Sequence, residues 1–570
     1  MIQPGLERIG QLLKNVQFPW KSIHVAGTNG KGSVCMAASH FLTRRTIRNG
    51  RFTSPHLVDR WDCIEINGKP VFEQEFRKVE DHFIQLNERD SIGASEFELL
   101  TATAFQLFND KKVEVGVIEV GMGGKLDATN ILNNQVVSVI SKIAREHQNF
   151  LGTSLEEIAQ HKAGILRPNV PYLVNPMNEW NVKHVIDDYA KEIGAAPRIL
   201  LDTPELHHTL FKTKDWLRCI ANMLPFQRDN IVLAYLAFLE ALKSLHASTR
   251  KAPQLVFSLR HKAFPGRLQE LTCPPVFTTP RRTVMVDGAH NPDSAARLAE
   301  WVRKHGRKRW ESTYPITWVL AMTEGKDVRR FLRNILEPGD NVVTTTFGPV
   351  DGMPWVKPMD PQELSRIAKE AEPGVTSIHV PVSGTFRALC AAKYLAGHRA
   401  PIVLTGSLYL VGDFMRLRRQ YDEDPECLPM RSIDSEEKRR VNMALSRKES
   451  GMIDEATESN DVNLETEKRR LEEEIESLDR EMQSLQVEET RLRRAQFMVS
   501  DNDRDSILAK EKLYGDFEGI RPQQEQPLSP GSVNSPIDND LRHLVEAKDQ
   551  SYIESVLRDA EIPRGIGCGL

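Results

Sequence analysis

Short apolar runs alternate with amphipathic stretches over roughly the first three quarters of the chain. Residues 22–26, 113–120 and 136–143 form the first series of such runs, and a second series begins at Thr283. Runs this uniformly apolar are typical of strands in a parallel sheet covered on both faces. The second series continues at 317–322, 341–345 and 401–405. We therefore expect two successive α/β domains, 1–270 and 271–425, with the boundary falling somewhere in the proline-containing stretch 255–282.

The pattern changes after about residue 430, where charge density rises and the strand pattern ends. Leucine recurs every seven residues, at Leu464, Leu471, Leu478, Leu485 and Leu492. This spacing predicts a short coiled coil over 463–496 that binds a helical partner, although a lone charged helix explains it equally well. We expect 426–462 to be a linker and 497–570 to be largely disordered. An independent module fused to the two domains, or a wrongly assigned gene boundary, is an alternative origin of this tail.

The amino-acid composition argues against several classes of protein. The 570 residues are 40% hydrophobic, and 75 basic against 79 acidic residues give a net charge of −4, which provides no drive toward nucleic acid. Seven cysteines without a CxxC pair disfavour a zinc site and a disulfide framework. No apolar run reaches the roughly 20 residues that a membrane span needs. We expect a cytoplasmic protein that binds neither nucleic acid nor membrane.

A glycine-rich segment is the clearest candidate for chemistry. It follows a predicted strand, opens a predicted helix, and consists of Gly27, Thr28, Asn29, Gly30, Lys31, Gly32 and Ser33. Glycines let backbone N–H groups approach an anion, and the helix N-terminus adds its dipole. We predict that this loop binds the phosphates of ATP, with Lys31 at the β/γ-phosphates. The spacing is shorter than GxxxxGK[ST], and a simple turn between strand and helix is the alternative.

The segment VAGTNGKGS resembles the loop of the Mur ligases and, in this wording, that of the dihydrofolate synthase and folylpolyglutamate synthase family. Further stretches resemble the same family in the same order, and together they cover essentially all of residues 1–420: FTSPHLV (52–58), FELLTATAF (97–105), VIEVGMGGKLDATN (117–130), EHQNFLGTSLEEIAQHKAGI (146–165), FPGRLQE (264–270), DGAHNP (287–292) and TGSLYLVGD (405–413).

The resemblance implies an α/β fold, with a P-loop, Mur-ligase-like ATPase domain followed by a Rossmann-like domain. It implies ATP-dependent ligation of L-glutamate to dihydropteroate through an acyl phosphate, with ATP and Mg²⁺ as cofactors. The wording of WDCIEINGKPV and FELLTATAFQLF is more similar to eukaryotic dihydrofolate synthases. A folylpolyglutamate synthase, or an enzyme with both activities, is the alternative. An inactive nucleotide-binding scaffold is a third reading, which the presence of Lys31, Glu119 and His147 disfavours.

Matching the motifs residue by residue implies a metal and acyl-transfer site. Ser54, Glu119 and His147 match magnesium ligands, and hard oxygen ligands suit that ion. Lys162 matches a lysine that becomes an anionic ligand by carbamylation; read alone it is an ordinary helix lysine. His147 and Lys162, with Lys31, are the residues expected to act in catalysis. The sequence departs from the family pattern at Glu146, Lys125 and His161, which replace Asp, Arg and Glu.

The remaining matches concern the nucleotide and the acceptor. Asn230 falls in PFQRDN, similar to a motif that holds adenine, although Phe226 stands where His is usual. Residues expected to reach the nucleotide are Arg267, from the inter-domain region, and Asp287 and His290, from the second domain. Residues that match contacts with the pteroyl group are Phe97 and Asp127, although core packing explains Phe97 equally well. An Asx-type turn is the alternative for the DGAHNP segment.

Overall fold

A computed structural model describes residues 5–274, 276–277, 282–307, 315–380, 384–397 and 400–424. Its first sheet is built from seven strands: β1 (Lys21–Ala26), β2 (Asn49–Phe52), β3 (Ile64–Ile66), β4 (Lys69–Pro70), β5 (Val115–Glu119), β6 (Gln135–Ile140) and β7 (Tyr172–Val174). Their spatial order is β4-β3-β2-β5-β1-β6-β7, and only β3 and β4 run antiparallel to their neighbours. The carboxyl ends of β1, β5 and β6 therefore meet at one edge, which is where ligands bind in open α/β sheets.

Helices cover both faces of this sheet. They are α1 (Glu7–Leu12), α2 (Lys31–Arg44), α3 (Glu73–Arg89), α4 (Glu96–Asp110), α5 (Gln148–Leu151), α6 (Leu155–Ala163), α7 (Trp180–Glu192), α8 (Pro204–Leu206), α9 (Lys214–Ile220) and α10 (Pro225–Ser244). Shorter segments are the 3-10 helices Arg60–Cys63, Ala128–Ile131 and Pro253–His261 and the π-helical turn His207–Phe211.

The side chains of β1 alternate between the two faces of the sheet, as the period of a strand requires. Ile23 and Val25 are fully buried in the apolar cluster formed with α2 and α10. Phe41 of α2 packs against Phe238 of α10, with ring centroids 5.6 Å apart. This packing fixes α2, and with it the glycine-rich loop, above the carboxyl end of β1.

The second sheet has six strands: β8 (Gln269–Thr272), β9 (Thr283–Val286), β10 (Thr317–Leu320), β11 (Asn341–Thr344), β12 (Thr376–His379) and β13 (Ile402–Thr405). The order is β12-β11-β10-β13-β9-β8, parallel except for β8. Its helices are α11 (Pro292–Trp301), α12 (Val328–Ile335), α13 (Pro361–Ala371), α14 (Thr385–Ala396) and α15 (Leu408–Glu423), with a π-helical turn at Val302–Arg307. Val319 packs on one face of this sheet and Trp318 on the other, so both faces are apolar and both are covered.

The α/β fold class predicted from the sequence is confirmed, and the strand bounds need correction. The predicted runs 113–120 and 136–143 overshoot, because the strands are Val115–Glu119 and Gln135–Ile140 and the residues after them turn into cleft loops. The second sheet begins at Gln269, inside the predicted boundary interval. Both sheets lie within one compact unit of the chain. The predicted linker, coiled coil and disordered tail lie outside the described residues.

No helix in the part of the chain that the structure describes is both long enough and apolar enough to cross a membrane.

Candidate active site

A cleft of 1240 Å³ opens at the carboxyl edge of the first sheet, and both halves of the described chain line it. Every predicted site residue except Gly27 and Lys162 lies on its wall. The lining residues predicted from the sequence are Thr28, Asn29, Gly30, Lys31, Gly32, Ser33, Ser54, Phe97, Glu119, Asp127, His147, Asn230, Arg267, Asp287 and His290. The fold therefore brings together side chains that are up to about half of the chain apart.

The glycine-rich loop needs two of its glycines for steric reasons. Gly27 and Gly30 have φ angles of 142° and 93°, which other residues rarely adopt. A Cβ atom on Gly27 would lie 1.9 Å from Ser141 Oγ, and one on Gly30 would lie 2.7 Å from Asn230 Oδ1. The loop is thus pressed against β6 on one side and against α10 on the other. This contact also places the predicted adenine-binding residue, Asn230, directly beside the loop.

The N-terminus of α2 is suited to bind an anion. Its N-cap residue is Gly30, and no side chain caps it. The first N–H groups of a helix have no partner within the helix, and the helix dipole favours negative charge there. Thr28 and Asn29 donate their N–H groups to the Lys142 carbonyl at 2.9 and 3.0 Å, which holds the loop in place. The arrangement fits the terminal phosphates of a nucleotide.

Lys31 and Glu119 face each other in this part of the cleft. The Lys31 Nζ atom lies 3.7 Å from Glu119 Oε1, and Glu119 stands at the end of β5. Burial raises the pKa of the Glu119 carboxyl, and the nearby charge of Lys31 opposes that rise. A buried carboxylate beside a cation-rich phosphate site is a suitable ligand for a divalent ion, which would replace Lys31 as its main partner.

The predicted metal ligands are only partly brought together. The Ser54 backbone lowers the pKa of the Glu119 carboxyl, which indicates that the two residues lie near each other. His147 lines the same cleft from the loop after β6, in a left-handed conformation with φ 53°. His147 is exposed at the cleft, and desolvation by the surrounding residues lowers its pKa to about 4, in the direction of the neutral imidazole that binds metals.

The described side chains could not hold a metal ion without further ligands. Among the described residues, no group of three or more His, Cys, Asp or Glu side chains is placed to hold a metal ion. Magnesium is commonly held by one or two carboxylates, with substrate phosphates and waters completing the shell. Glu119, with Ser54 and His147 nearby, matches that requirement.

Lys162 lies behind the loop, away from the cleft surface. Its Nζ atom donates to the Gly27 carbonyl at 2.8 Å, and the residue is 4% exposed. Burial, with the positive charge of Lys31, lowers the pKa of Lys162 to about 7. A large fraction of the amine is therefore uncharged near neutral pH, and this is the form that reacts with carbon dioxide. In the unmodified side chain the contact stabilises the loop, and the predicted carbamate stays a prediction.

The second half contributes a loop that is closed by its own side chains. Asp287 accepts hydrogen bonds from the N–H groups of Leu268 and Ala289, both at 2.8 Å. The bond to Ala289 is the Asx-type turn considered from the sequence, so Asp287 shapes its loop while it lines the cleft. Arg267 lies next to it and bonds the Gly266 carbonyl at 3.1 Å. Its charge lies within range of both Asp287 and Glu119.

Contacts between the halves converge on Glu146. Its Oε1 atom lies 2.9 Å from His290 Nε2 and 2.8 Å from Lys326 Nζ. Burial alone would raise the pKa of Glu146, but His290 and Lys326 hold it well below its usual range. The Asn29 side chain also pairs with Asn291 at 3.0 Å and donates to Asp293 at 2.8 Å.

Lys326, Asn291 and Asp293 were not predicted as site residues. Asn291 and Asp293 lie in and next to the DGAHNP segment, and Lys326 lies in the polar loop after β10. Polar residues in loops at the carboxyl end of parallel strands are a signal that could have found them. Their partners, however, lie in the other half of the molecule and could not be read from the sequence.

The predicted acceptor residues form an adjoining wall. Phe97 stacks on Phe52 with ring centroids 6.0 Å apart and an interplanar angle of 25°. It also rests on Gly121, where a Cβ atom would approach the Phe97 ring to 2.5 Å. Asp127 is 6% exposed and accepts from the Met122 N–H at 2.8 Å. Phe97 therefore combines partial core packing with an exposed ring face in the cleft.

Known proteins share this architecture. A family model described as the C-terminal domain of dihydrofolate synthetase matches residues 276–417. A probable dihydrofolate synthetase of Schizosaccharomyces pombe is 36% identical over 424 residues, 73% of this chain and 98% of that protein. The dihydrofolate synthetase of Saccharomyces cerevisiae is 34% identical over 433 residues, 74% of this chain and 99% of that protein.

A solved structure agrees with these sequence matches. The folylpolyglutamate synthase of Mycobacterium tuberculosis, complexed with ADP and AMPPCP, aligns with a TM-score of 0.58 and 29% identity over 73% of this chain and 95% of that one. The phosphate-loop sheet followed by a Rossmann-like sheet is thus the architecture of the Mur-type ligases. The chain belongs to the dihydrofolate synthase and folylpolyglutamate synthase family.

Proposed function

We propose that this ligase joins L-glutamate to dihydropteroate, giving dihydrofolate, ADP and phosphate. The observation that carries the proposal is one cleft in which the uncapped start of α2, Lys31 and Glu119 meet Arg267 of the inter-domain segment and His290 of the second half. The helix N-terminus and Lys31 on one side of the cleft, and Arg267 on the other, would neutralise phosphate charge. The similarity to two yeast dihydrofolate synthetases over nearly their whole length supports dihydropteroate as the acceptor.

The chemistry explains why a phosphate site is needed. A carboxylate does not acylate an amine at neutral pH, so its oxygen first attacks the γ-phosphorus of ATP and ADP leaves. The resulting acyl phosphate is attacked at its carbonyl carbon by the glutamate amine. Phosphate then leaves as the amide bond forms, and the amine proton passes to solvent. Phosphoryl transfer depends on positioning and charge stabilisation, which is what this cleft offers.

Each residue type has a role in that scheme. The loop N–H groups and Lys31 hold the β- and γ-phosphates, and Asn230 holds the adenine. Glu119, with Ser54 and His147, would hold the magnesium ion, which supplies neutralisation of the phosphate charge when bound. Arg267 approaches the phosphates from the inter-domain segment and His290 from the second half, while Asp287 keeps the DGAHNP loop in shape. The family relationship supports the use of ATP and a divalent metal.

The distance between the bound pterin and the γ-phosphate decides which acceptor is used. Phe97 offers a ring face for stacking, and the Asp127 carboxylate can accept hydrogen bonds from the aminopyrimidine edge. Dihydropteroate carries its reactive carboxylate on the benzoyl group, whereas a folate carries it one glutamate further out. A site that anchors the pterin here aligns the shorter substrate with the γ-phosphate. Misplacement by about 1 Å can cost on the order of 10²-fold in rate.

The test compares acceptors under matched conditions. Purified protein receives ATP, magnesium and glutamate with either dihydropteroate or tetrahydrofolate at equal concentration, and kcat/KM is measured for each. We expect dihydropteroate to be used at least roughly ten-fold better, since the folate carboxylate is displaced from the γ-phosphate. Equal use of tetrahydrofolate would replace this assignment with an enzyme of both activities. Absence of any ligation would instead support an inactive nucleotide-binding scaffold.

Two further proposals rest on sequence alone. The small-molecule substrates are the expected partners in catalysis, and residues 463–496 are proposed to bind a helical partner as a coiled coil. Cross-linking of the full chain, with and without these residues, tests that binding. The proposed cytoplasmic location rests on the cysteine pattern, which disfavours a disulfide framework, and fractionation of cells that express the full chain tests it.

A further inference from the structure

A chain of polar side chains crosses the interior beneath the cleft, where its neighbours are apolar. It begins at Gln135 at the start of β6, continues through His24 in the middle of β1, and reaches Thr129 in the 3-10 helix Ala128–Ile131. The Gln135 amide nitrogen lies 2.5 Å from His24 Nδ1, and His24 Nε2 lies 2.9 Å from Thr129 Oγ1. His24 and Thr129 have no exposed surface.

This chain ends on the carboxylate of Asp127. The Thr129 hydroxyl lies 2.5 Å from Asp127 Oδ1, and the Thr129 N–H donates to the same oxygen at 3.1 Å. Asp127 Oδ2 accepts the Met122 N–H at 2.8 Å. Three donors thus converge on two oxygens, a pattern that stabilises the ionised form of a carboxylate. Burial raises the pKa of Asp127, so these donors oppose the cost of keeping a charge there.

The geometry selects one direction for the hydrogen bonds. Burial lowers the pKa of His24 to about 3, so its ring is neutral and carries one proton. When the Gln135 amide donates to Nδ1, the proton sits on Nε2 and is donated to Thr129. The threonine oxygen then accepts from His24 and donates its own hydrogen to Asp127.

The opposite tautomer does not fit an ionised Asp127. With the proton on Nδ1, the bare Nε2 atom of His24 would take the threonine hydrogen. No hydrogen would then lie between Thr129 Oγ1 and Asp127 Oδ1, and two oxygens 2.5 Å apart would repel each other. The ionised carboxylate and the Nε2-protonated histidine therefore require each other.

We propose that His24 and Thr129 are positioning residues that fix the rotamer and ionised state of Asp127 for the pteroyl group of the acceptor. This inference rests on the proposed function, because it assigns the acceptor's aminopyrimidine edge to Asp127. A carboxylate held from behind by Thr129 and Met122 presents its remaining lone pairs in one direction. The donors are preorganised before the substrate arrives, so binding does not have to order them.

Apolar packing alone does not account for His24. Ile23 and Val25, its neighbours in β1, are aliphatic and fully buried, and an aliphatic residue at position 24 would avoid the cost of burying an imidazole. Buried polar networks cost stability unless all their members are paired. Here the Gln135 Oε1 atom has no hydrogen-bond partner, and the paired members lead to a cleft residue, which gives the network a use beyond the core.

Two matched pairs of variants test the proposal. Thr129→Val removes the hydroxyl and keeps the shape, whereas Thr129→Ser keeps the hydroxyl. His24→Asn keeps a polar atom near the Nδ1 position and loses the donor to Thr129, whereas His24→Gln places an amide N–H near the Nε2 position. For each protein we would measure KM for dihydropteroate, KM for ATP, kcat and the melting temperature.

We expect Thr129→Val and His24→Asn to raise KM for dihydropteroate by roughly ten-fold or more, the loss expected for a hydrogen bond to a charged group. KM for ATP should stay within about two-fold, because the nucleotide contacts lie elsewhere in the cleft. Thr129→Ser and His24→Gln should restore the acceptor KM toward that of the wild type, whatever their melting temperatures.

The outcomes are separable. Lower melting temperatures with unchanged KM for dihydropteroate in Thr129→Val would overturn the proposal and leave the network a structural role. An equal rise in both KM values would also overturn it. If His24→Asn does not fold, the Thr129 pair decides alone, since valine has nearly the shape of threonine. A wild-type protein that does not use dihydropteroate refutes the proposed function instead, before any variant is compared.

Discussion

Two loops of this molecule have the same setting and opposite character. The glycine-rich loop connects β1 to α2, the DGAHNP loop connects β9 to α11, and both line the cleft. In the first, no side chain caps α2. In the second, Asn291 caps α11 by accepting the Ser294 N–H, and Ser294 Oγ accepts the N–H groups of His290 and Asn291.

The difference lies in where the backbone donors go. Asp287, Asn291 and Ser294 occupy the N–H groups of the second loop, so it is complete without a ligand and acts as a rigid wall. The first loop has glycines in place of capping side chains, and its helix N-terminus needs an anion to be satisfied. The same strand–loop–helix topology thus gives a phosphate site in one half and a positioning surface in the other.

Removing the charges at the first loop should have the largest effect. Lys31→Ala and Glu119→Ala are each expected to lower kcat by about 10²–10³-fold or more, because charge stabilisation is lost where the transition state needs it. The fold should persist, since neither residue holds an apolar core. Turnover assays and circular dichroism check both points. Lys243→Ala, an exposed lysine paired with Glu240, is the matched control and should turn over normally.

Breaking the link between the halves should be the next largest effect, and it acts on stability. Glu146→Gln leaves His290 and Lys326 without their shared carboxylate and is expected to cost about 3 kcal/mol, in the range for a buried ion pair that loses one partner. Denaturant unfolding measures the loss. Glu370→Gln is the control, because Glu370 also bridges two basic side chains, Arg329 and Arg366, but on the exposed surface. A loss below about 1 kcal/mol is expected there.

Adding a methyl group to the glycine-rich loop should weaken nucleotide binding. Gly30→Ala imposes a strained left-handed conformation, which costs about 1–2 kcal/mol, and places a Cβ atom 2.7 Å from Asn230. We expect ATP affinity to fall by roughly ten-fold or more, as read by calorimetry. Gly194→Ala separates the two causes, because Gly194 has φ 69° and nothing within 4 Å of the added atom. That variant should lose stability and keep its ATP affinity.

Removing the Asn291 cap at the end of the DGAHNP loop should have the smallest effect. Asn291→Ala is expected to cost about 1 kcal/mol of stability through the lost cap of α11, measured as a shift in the unfolding midpoint. Asp360→Ala removes a comparable cap from α13, far from Asn29, and should cost about the same. A difference between the two then reports the Asn29–Asn291 contact. If Asn291→Ala abolished ATP binding as fully as Lys31→Ala, the contrast between the two loops would be wrong.

Much of the site could be predicted because its parts are local. The glycines of the first loop, the strand before it and the helix after it are neighbours in sequence, and steric rules dictate their residue types. The apolar period likewise predicted the parallel strands β1, β5 and β6. The strands β2, β3, β4, β7, β8 and β12 were not predicted from the sequence. They are short, and unlike the four-residue strands β9, β10, β11 and β13 most of them carry polar residues that interrupt the apolar run.

By itself, then, the sequence determined the fold class and the order of the motifs, and it named fifteen of the residues that line the cleft. Only the tertiary structure decided their partners. Glu146 meets His290 and Lys326 across 144 and 180 residues, and Asn29 meets Asn291 across 262. The tertiary structure also decided the partners of two further residues. Lys162 donates to the Gly27 carbonyl, away from the cleft surface, and His24, a strand residue that lies in no motif, pairs with Thr129. Contacts at such separations depend on how the two sheets and their loops pack, and local residue preferences carry no record of that packing.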